Sequence, residues 1–313
     1  MWKNKFWNSK IWQSICFLCS MKFLIILFFL IGFHASSQVL DNRNGEAFTD
    51  RPFFNEKFIK QNKLKKLEGS YVYKKSGEVM KTTTYKYVYN FDQEGHLISS
   101  YETNLDDGTK DTVWNIYEYD ANNHLITHRK TDLDGFLTVH YTYDDKDRVI
   151  KEEYKRDIDS LGQIVRSLSF NEERIEYNDY GDQTKKTKYN NYNLPYLDEF
   201  VRYDSTGYLV ERVERIRMTS TTFTNTYSYD DHGKLAGIQK TSNRKEGIIE
   251  ESKFKYDELG NLIEKHLYKD GVFTTDIQII YNSKSKLLAT VITKQVSTGF
   301  LMILRFQNYE FYD

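Results

Sequence analysis

The hydrophobic and polar positions of this chain follow a pattern that returns along most of its length. In YSYDDHGKLAGIQK, residues 227–240, two tyrosines alternate with a polar residue, and an aspartate, a glycine and a leucine follow at fixed distances. Alternation with a period of two places both rings on one face of a β-strand. The aspartate favours a turn because its side chain can bond to the backbone two residues on, and the glycine supplies a left-handed residue. The leucine begins the return strand, so the stretch predicts a β-hairpin.

Eight copies of this pattern follow one another, and a weaker copy begins at Tyr71. Asn123, Asp147 and Ser285 replace the glycine in three copies. Asparagine and aspartate tolerate the left-handed conformation, whereas Ser285 predicts a looser turn. The aromatic residue before the aspartate or asparagine stands at positions 91, 119, 143, 177, 203, 229, 256 and 281.

A second turn signal lies about halfway through several units, at 106–108, 134–135, 246–247 and 270–271. Each unit then reads as strand, turn, strand, turn. This organisation predicts an all-β, repetitive antiparallel meander of short hairpins, with roughly sixteen or more strands in a twisted or curled open sheet. The apolar spacing after Phe53 predicts a short amphipathic helix that leads into the first strand.

The first 37 residues differ from the rest. Lys22 precedes an apolar run over 23–33, and small residues follow up to Ser37. This order is typical of a signal peptide, here 21–37 with cleavage near Ser37, and residues 1–20 are then an N-terminal extension or a mis-start. A single membrane anchor across 11–33 is the alternative.

The leader predicts a secreted, periplasmic or cell-surface protein, with membrane contact only through an uncleaved leader. The remaining chain divides into an N-terminal cap segment (38–70), a repeat domain (71–298) and a C-terminal closing strand (299–313).

Charge and cysteine content narrow the function classes. The 313 residues include 44 Lys and Arg against 45 Asp and Glu, a balance that offers no basic surface for nucleic acid. Removal of residues 1–37 takes away four lysines and no acid, so the net charge becomes 40 − 45 = −5. Both cysteines, Cys16 and Cys19, fall in the leader, and no disulfide is predicted.

The element Tyr-x-Tyr-Asp-x-x-Gly-x-Leu resembles the YD repeat of the Rhs family of bacterial surface and toxin-associated proteins. The resemblance covers about residues 71–290 and implies a β-sheet that coils into part of a shell, with ligand or carbohydrate binding in some members. The chain has too few repeats for a large shell and no toxin tail. Its leader is similar to those of Bacteroidetes-type secreted proteins. The resemblance rests on these structural turn residues: Tyr203, Asp204, Gly207 and Leu209; Tyr229, Asp230, Gly233 and Leu235; Tyr256, Asp257, Gly260 and Leu262.

The sequence contains no arrangement typical of an enzyme. No Gly-x-Ser-x-Gly, phosphate loop or paired zinc-binding histidines occur, and the histidines fall in predicted turns and strands. The loop that begins at Asp132 has Tyr143 where a calcium loop needs glutamate. We therefore expect no enzymatic activity, cofactor or metal.

The expected function is that of a non-catalytic binding or scaffold module, with a carbohydrate or an envelope protein as its ligand. Rows of tyrosine can stack on sugars, although the same rings also suit a protein core. An accessory or remnant component of an Rhs-type toxin system is the alternative. An outer-membrane barrel is disfavoured because strands such as 222–230 carry no consistent apolar row on one face.

Overall fold

The computed structural model describes residues 38–106, 109–133, 135–160 and 163–313. Within these ranges one helix, α1 (Glu56–Gln61), precedes eighteen strands. The strands are β1 (Leu64–Lys74), β2 (Lys81–Phe91), β3 (Leu97–Asp106), β4 (Thr109–Tyr119), β5 (Leu125–Asp132), β6 (Gly135–Tyr143), β7 (Val149–Ser160), β8 (Gln163–Tyr180), β9 (Gln183–Tyr189), β10 (Pro195–Tyr203), β11 (Leu209–Ile216), β12 (Thr221–Tyr229), β13 (Leu235–Ser242), β14 (Lys245–Tyr256), β15 (Leu262–Lys269), β16 (Val272–Tyr281), β17 (Leu288–Gln295) and β18 (Phe300–Phe311).

The strands form one antiparallel meander, which confirms the predicted all-β class. Each strand pairs with the strands before and after it in the chain, and β18 also pairs with β1, so the sheet is a closed barrel. At this seam Leu67 lies opposite Tyr309, and Val72 lies opposite Ile303. The predicted open sheet is therefore wrong. In the closed barrel, the backbone donors and acceptors of β1 and β18 hydrogen-bond to each other. In an open sheet these groups would stay exposed at the two edges.

Alternation along the strands separates side chains that face the interior from side chains that face outward. In β14 the inward Phe254 is 5% exposed, whereas Lys253 and Lys255 point outward. Lys255 pairs with Glu264 across the outer face at 2.7 Å. On the far side of the barrel, Lys151 pairs with Glu172 in the same way at 2.8 Å.

Residues 38–63, which we call the plug, pack against one end of the barrel interior. Phe54 makes edge-to-face contacts with Tyr89 and Phe91, at centroid distances of 4.8 and 4.9 Å. In α1 the side chain of Asn55 caps the helix by accepting from the Phe58 N–H, and the helix buries Phe58 and Ile59. The helix therefore forms near the position predicted for it.

The first strand begins at Leu64, inside the range predicted as the cap segment. The predicted signal peptide, residues 21–37, lies outside the described residues. Among the residues described, no helix has the length and apolar character needed to cross a membrane.

Candidate functional site

The turns after the even-numbered strands lie at one end of the barrel, because a meander returns to the same end every second turn. Seven of these turns are built on an aspartate or asparagine, and we call this end the aspartate rim. Asp230 shows the geometry: its Oδ1 accepts from the N–H groups of His232 and Lys234, at 2.9 and 2.8 Å. The rim residues are Asp92, Asp120, Asp144, Asp204, Asp230, Asp257 and Asn282.

The other two strongest copies of the motif have the same geometry. Asp204 accepts from the N–H groups of Thr206 and Tyr208, both at 2.9 Å, and Asp257 accepts from Leu259 and Asn261 at 3.0 and 2.8 Å. Hydrogen bonds from the Thr206 side chain and the Tyr208 backbone hold the pKa of Asp204 below its ordinary value.

The motif glycines and leucines complete each turn. Gly207, Gly233 and Gly260 have φ of 89°, 72° and 82°, in the left-handed region. Asn123 and Asp147 adopt the same conformation, at 66° and 59°. The motif leucines begin the return strands opposite the motif tyrosines: Leu209 opposite Tyr203, Leu235 opposite Tyr229, and Leu262 opposite Tyr256.

The tyrosine hydroxyls connect neighbouring repeats, a role that the sequence did not reveal. Tyr256 donates to the backbone oxygen of Leu235 at 2.9 Å, and Tyr281 donates to that of Leu262 at 2.8 Å. Each acceptor is the motif leucine of the preceding repeat. Tyr203, 41% exposed, departs from this pattern. The same bond joins Tyr119 to Leu97, Tyr143 to Leu125, Tyr177 to Val149, Tyr229 to Leu209 and Tyr309 to Leu288. The preference for tyrosine over phenylalanine at these positions was the available signal.

Three predicted turns need correction. At Tyr177 the strand continues to Tyr180, and the reversal occurs at Gly181 and Asp182, because Asn178 pairs with Lys185 inside the sheet. At 282–287 the left-handed residue is Lys286, so Ser285 marks a turn that is longer by one residue.

The turn predicted at 246–247 lies instead at 243–244. Gly247 falls within β14, with φ of 79°, beside two irregularities in its pairing with β13. The turn at 270–271 is where the sequence predicts it, and residues 107, 108 and 134 lie outside the described ranges. A further turn of the aspartate type, which the sequence pattern did not predict, is built on Asn190 between β9 and β10, at the end opposite the rim.

If the hydroxyl connections stabilise the barrel, Tyr281→Phe should lower the free energy of unfolding by about 1 kcal/mol, the usual value of one such hydrogen bond. Tyr203→Phe is the matched control, because among the described residues its hydroxyl has no such acceptor, and a change below about 0.5 kcal/mol is expected. Urea unfolding followed by circular dichroism measures both. Equal effects at the two positions would contradict a stabilising role for the hydroxyl.

The plug covers only part of the interior, and charged residues line another part. The luminal charge cluster consists of Glu152, Glu173, Lys186, Lys188, Glu199 and Arg212, on strands β7–β11. Their inward direction follows from the sheet register. Lys188 lies opposite Ile175, which is 6% exposed and inward, and Glu173 is two residues before Ile175 on the same face. Glu152 lies directly opposite Glu173.

Within the cluster the charges alternate at short distances. The Nζ of Lys188 lies 3.2 Å from a carboxylate oxygen of Glu173 and 3.5 Å from one of Glu152. Burial alone would lower the pKa of Lys188, but these two carboxylates outweigh it and the pKa is raised. Tyr154 donates to Glu152 at 2.6 Å. The cluster therefore offers both hydrogen-bond donors and acceptors beside an aromatic ring.

The second half of the cluster centres on Glu199. Lys186 contacts its carboxylate at 2.8 Å, and the Nε of Arg212 lies 3.5 Å from it. This Nε is buried and has no hydrogen-bond acceptor in the described structure. From the plug, the guanidinium of Arg51 lies over the ring of Tyr141 at 5.8 Å, and Tyr141 is paired with Glu152. The plug thus borders the cluster.

These arrangements suit binding. The carboxylates and cations of the cluster form ion pairs in a sheltered position, next to tyrosine rings. In the part of the chain that the structure describes, no group of three or more metal-ligating side chains could hold an ion. Acidic residues could not be assigned to this site from the sequence, because carboxylates occur along the whole chain and their face depends on register.

No protein-family model and no curated protein matches this chain. Similar solved structures include a porin-like protein from Bacteroides uniformis, 10% identical, with 79% of this chain and 97% of that chain covered and a TM-score of 0.30. The TcdB2-TccC3 structure is 11% identical over 74% of this chain and 15% of that chain, with a TM-score of 0.21. A LolA superfamily protein from Nitrosomonas europaea is 8% identical over 81% of this chain and 91% of its own, with a TM-score of 0.18. At these values the similarities assign no family.

Proposed function

We propose that this chain is a non-catalytic, secreted or cell-envelope protein of YD-repeat type that binds a carbohydrate in the lumen of its barrel. The observation that supports this proposal is the luminal charge cluster, where Lys188 lies between Glu152 and Glu173 with Tyr154 beside them. Sugars present many hydroxyls and apolar ring faces. The donors and acceptors of the cluster can hydrogen-bond to sugar hydroxyls, and the aromatic rings can pack on the apolar ring faces. Ligand sites commonly use a few placed polar groups in this way to orient the ligand.

The cluster is suited to binding rather than reaction. Its carboxylates are each paired with a cation or a hydroxyl, so these ion pairs and hydrogen bonds hold the side chains in fixed positions that a ligand can contact. The tyrosines that bond to backbone oxygens support the barrel wall. Charged and aromatic groups in the lumen remain for ligand contacts.

Glycan and cell-wall binding by residues 38–313 tests the proposal, and adjacent residues of β8 supply a matched pair of variants. Glu173 faces the lumen, and Glu172 faces outward, where it pairs with Lys151. We expect Glu173→Gln to weaken glycan binding at least about tenfold, the effect of losing roughly 1.4 kcal/mol, and Glu172→Gln to leave it unchanged. Equal loss in both variants, or no glycan bound by the parent, would overturn the carbohydrate assignment in favour of a protein partner.

A further inference from the structure

Strand β8 extends far beyond its neighbour β9. Its pairing with β9 begins at Arg174, opposite Tyr189, and the chain then turns away at Asn190 towards β10. Within the described ranges, residues 163–173 therefore pair with β7 on one side and with no strand on the other. This free edge is roughly 30 Å long at the usual rise per residue. It is longer than the corresponding overhang of β14, residues 245–248, beyond the end of β15.

The free edge is exposed and apolar. Every residue from 163 to 170 is exposed to solvent. Among them Ile164, Val165, Leu168 and Phe170 are 46%, 63%, 38% and 55% exposed. Unpaired backbone groups beside exposed apolar side chains are the combination that recruits another strand.

The hairpin that carries this edge is held in place before any partner binds. Asp157 of β7 is 4% exposed and accepts from Thr138 of β6 at 2.6 Å, and from Ser167 of β8. These bonds join three adjacent strands at the overhang. Burial raises the pKa of Asp157, but the two hydroxyls and Arg129 outweigh it and the pKa is lowered, so the carboxylate stays ionised. A preordered edge loses little conformational entropy on pairing.

We infer that the β8 edge pairs, antiparallel, with the β8 edge of a second copy of this chain. Between residues 163 and 171 the only charged side chain is Arg166. In an antiparallel pairing centred on Ser167 or Leu168, the two Arg166 side chains do not lie opposite each other. Two copies of the edge can therefore pair without repulsion between like charges. Pairing of the same surface in both copies closes at the dimer. Register shifts at Val165 and Phe170 interrupt the strand on either side of 166–169, which limits the pairing to a short central segment.

Sedimentation equilibrium of residues 38–313 over a concentration series tests this inference without any ligand. The parent should form a dimer. Leu168→Lys places like charges opposite each other for either centre of pairing, because the introduced lysine then faces its own equivalent or Arg166 in the second copy. We expect it to weaken association at least about tenfold. Met218→Lys, at a position 91% exposed in the β11–β12 turn, is the control and should leave the dimer unchanged.

A charge-swap mixture distinguishes self-pairing from a general loss of stability. If the pairing is centred on Leu168, an equal mixture of Leu168→Lys and Leu168→Glu should recover the dimer mass, because the two introduced charges are opposite and face each other. If it is centred on Ser167, Leu168→Glu should dimerise by itself, because the introduced carboxylate then faces Arg166 of the second copy. Recovery in neither sample would contradict self-pairing. A parent that stays monomeric throughout the series, or a Leu168→Lys variant that dimerises as the parent does, would overturn the inference. Failure of glycan binding would not affect it, because the measurement reports mass alone.

Discussion

Gly95→Ala is expected to lower the free energy of unfolding by about 3 kcal/mol or more, whereas Gly207→Ala should lower it by about 1–2 kcal/mol. Both glycines close turns of the aspartate rim in the left-handed region, with φ of 93° and 89°. A Cβ at position 95 would lie 2.1 Å from the backbone oxygen of Glu56 in α1, but one at position 207 would meet nothing within 4 Å. Backbone cannot move aside as a flexible side chain can, so only the first variant must displace the plug helix.

Urea unfolding of the two variants separates the effects, because the backbone strain is common to both. The difference between them then reports the contact between α1 and the rim. Gly95→Ala should also increase proteolysis within residues 38–63, since a displaced plug exposes Phe58 and Ile59, which are 6% and 0% exposed in the native barrel. Equal losses of stability at positions 95 and 207 would show that the plug does not press on this turn.

The second large effect is expected at alkaline pH. Burial raises the pKa of Tyr89 well above its ordinary value, and burial is also the main cause that raises the pKa of Tyr177 and of Tyr256 to about 12. In the unfolded chain these phenols ionise near pH 10. Above that pH the folded state holds more protons than the unfolded state, so stability decreases as pH rises. The stabilisation is fully present below about pH 10 and decreases by roughly 1.4 kcal/mol per pH unit for each such tyrosine.

An alkaline titration checks this expectation by following tyrosinate absorbance and the circular dichroism of the sheet together. Ionisation should be delayed beyond the range of free tyrosine and should coincide with loss of the sheet, while the chain unfolded in urea titrates without delay. Lys265 has the opposite effect on stability. Burial lowers its pKa, so the folded state binds fewer protons than the unfolded state and stability rises with pH up to about 10.5. One lysine is outnumbered by the buried tyrosines. Gradual ionisation near pH 10 with an intact sheet would contradict the expectation.

Local chemistry made the hairpins readable from the sequence. The carboxylate of Asp230 bonds to N–H groups only two and four residues away, and Gly233 lies within the same turn, so a short pattern contains the whole structure. The exceptions are instructive. At Asn178 the same local pattern lies inside a strand, because the longer hairpin of β8 and β9 places its reversal at Gly181.

The candidate site could not be read in the same way. Lys188 and Glu173 form one part of the cluster, yet Glu172, next in the chain, belongs to the outer surface. A shift of one residue in register would exchange them. Two irregularities in the pairing of β7 with β8 and another between β9 and β10 change the register along these strands, and the sequence pattern does not mark them.

By itself the sequence determined the strand-and-turn repeat and its antiparallel class, since alternation and turn chemistry act over a few residues. Only the tertiary structure decided that the meander closes, because the seam joins residues 64–74 to 301–311 through hydrogen bonds and contacts that no local pattern encodes. It also decided which charged side chains face the lumen and which strand keeps a free edge. The acceptors of the tyrosine hydroxyls, about twenty residues upstream, were likewise decided only by the tertiary structure. Each of these depends on register between distant segments, which is set by the packing of the whole barrel.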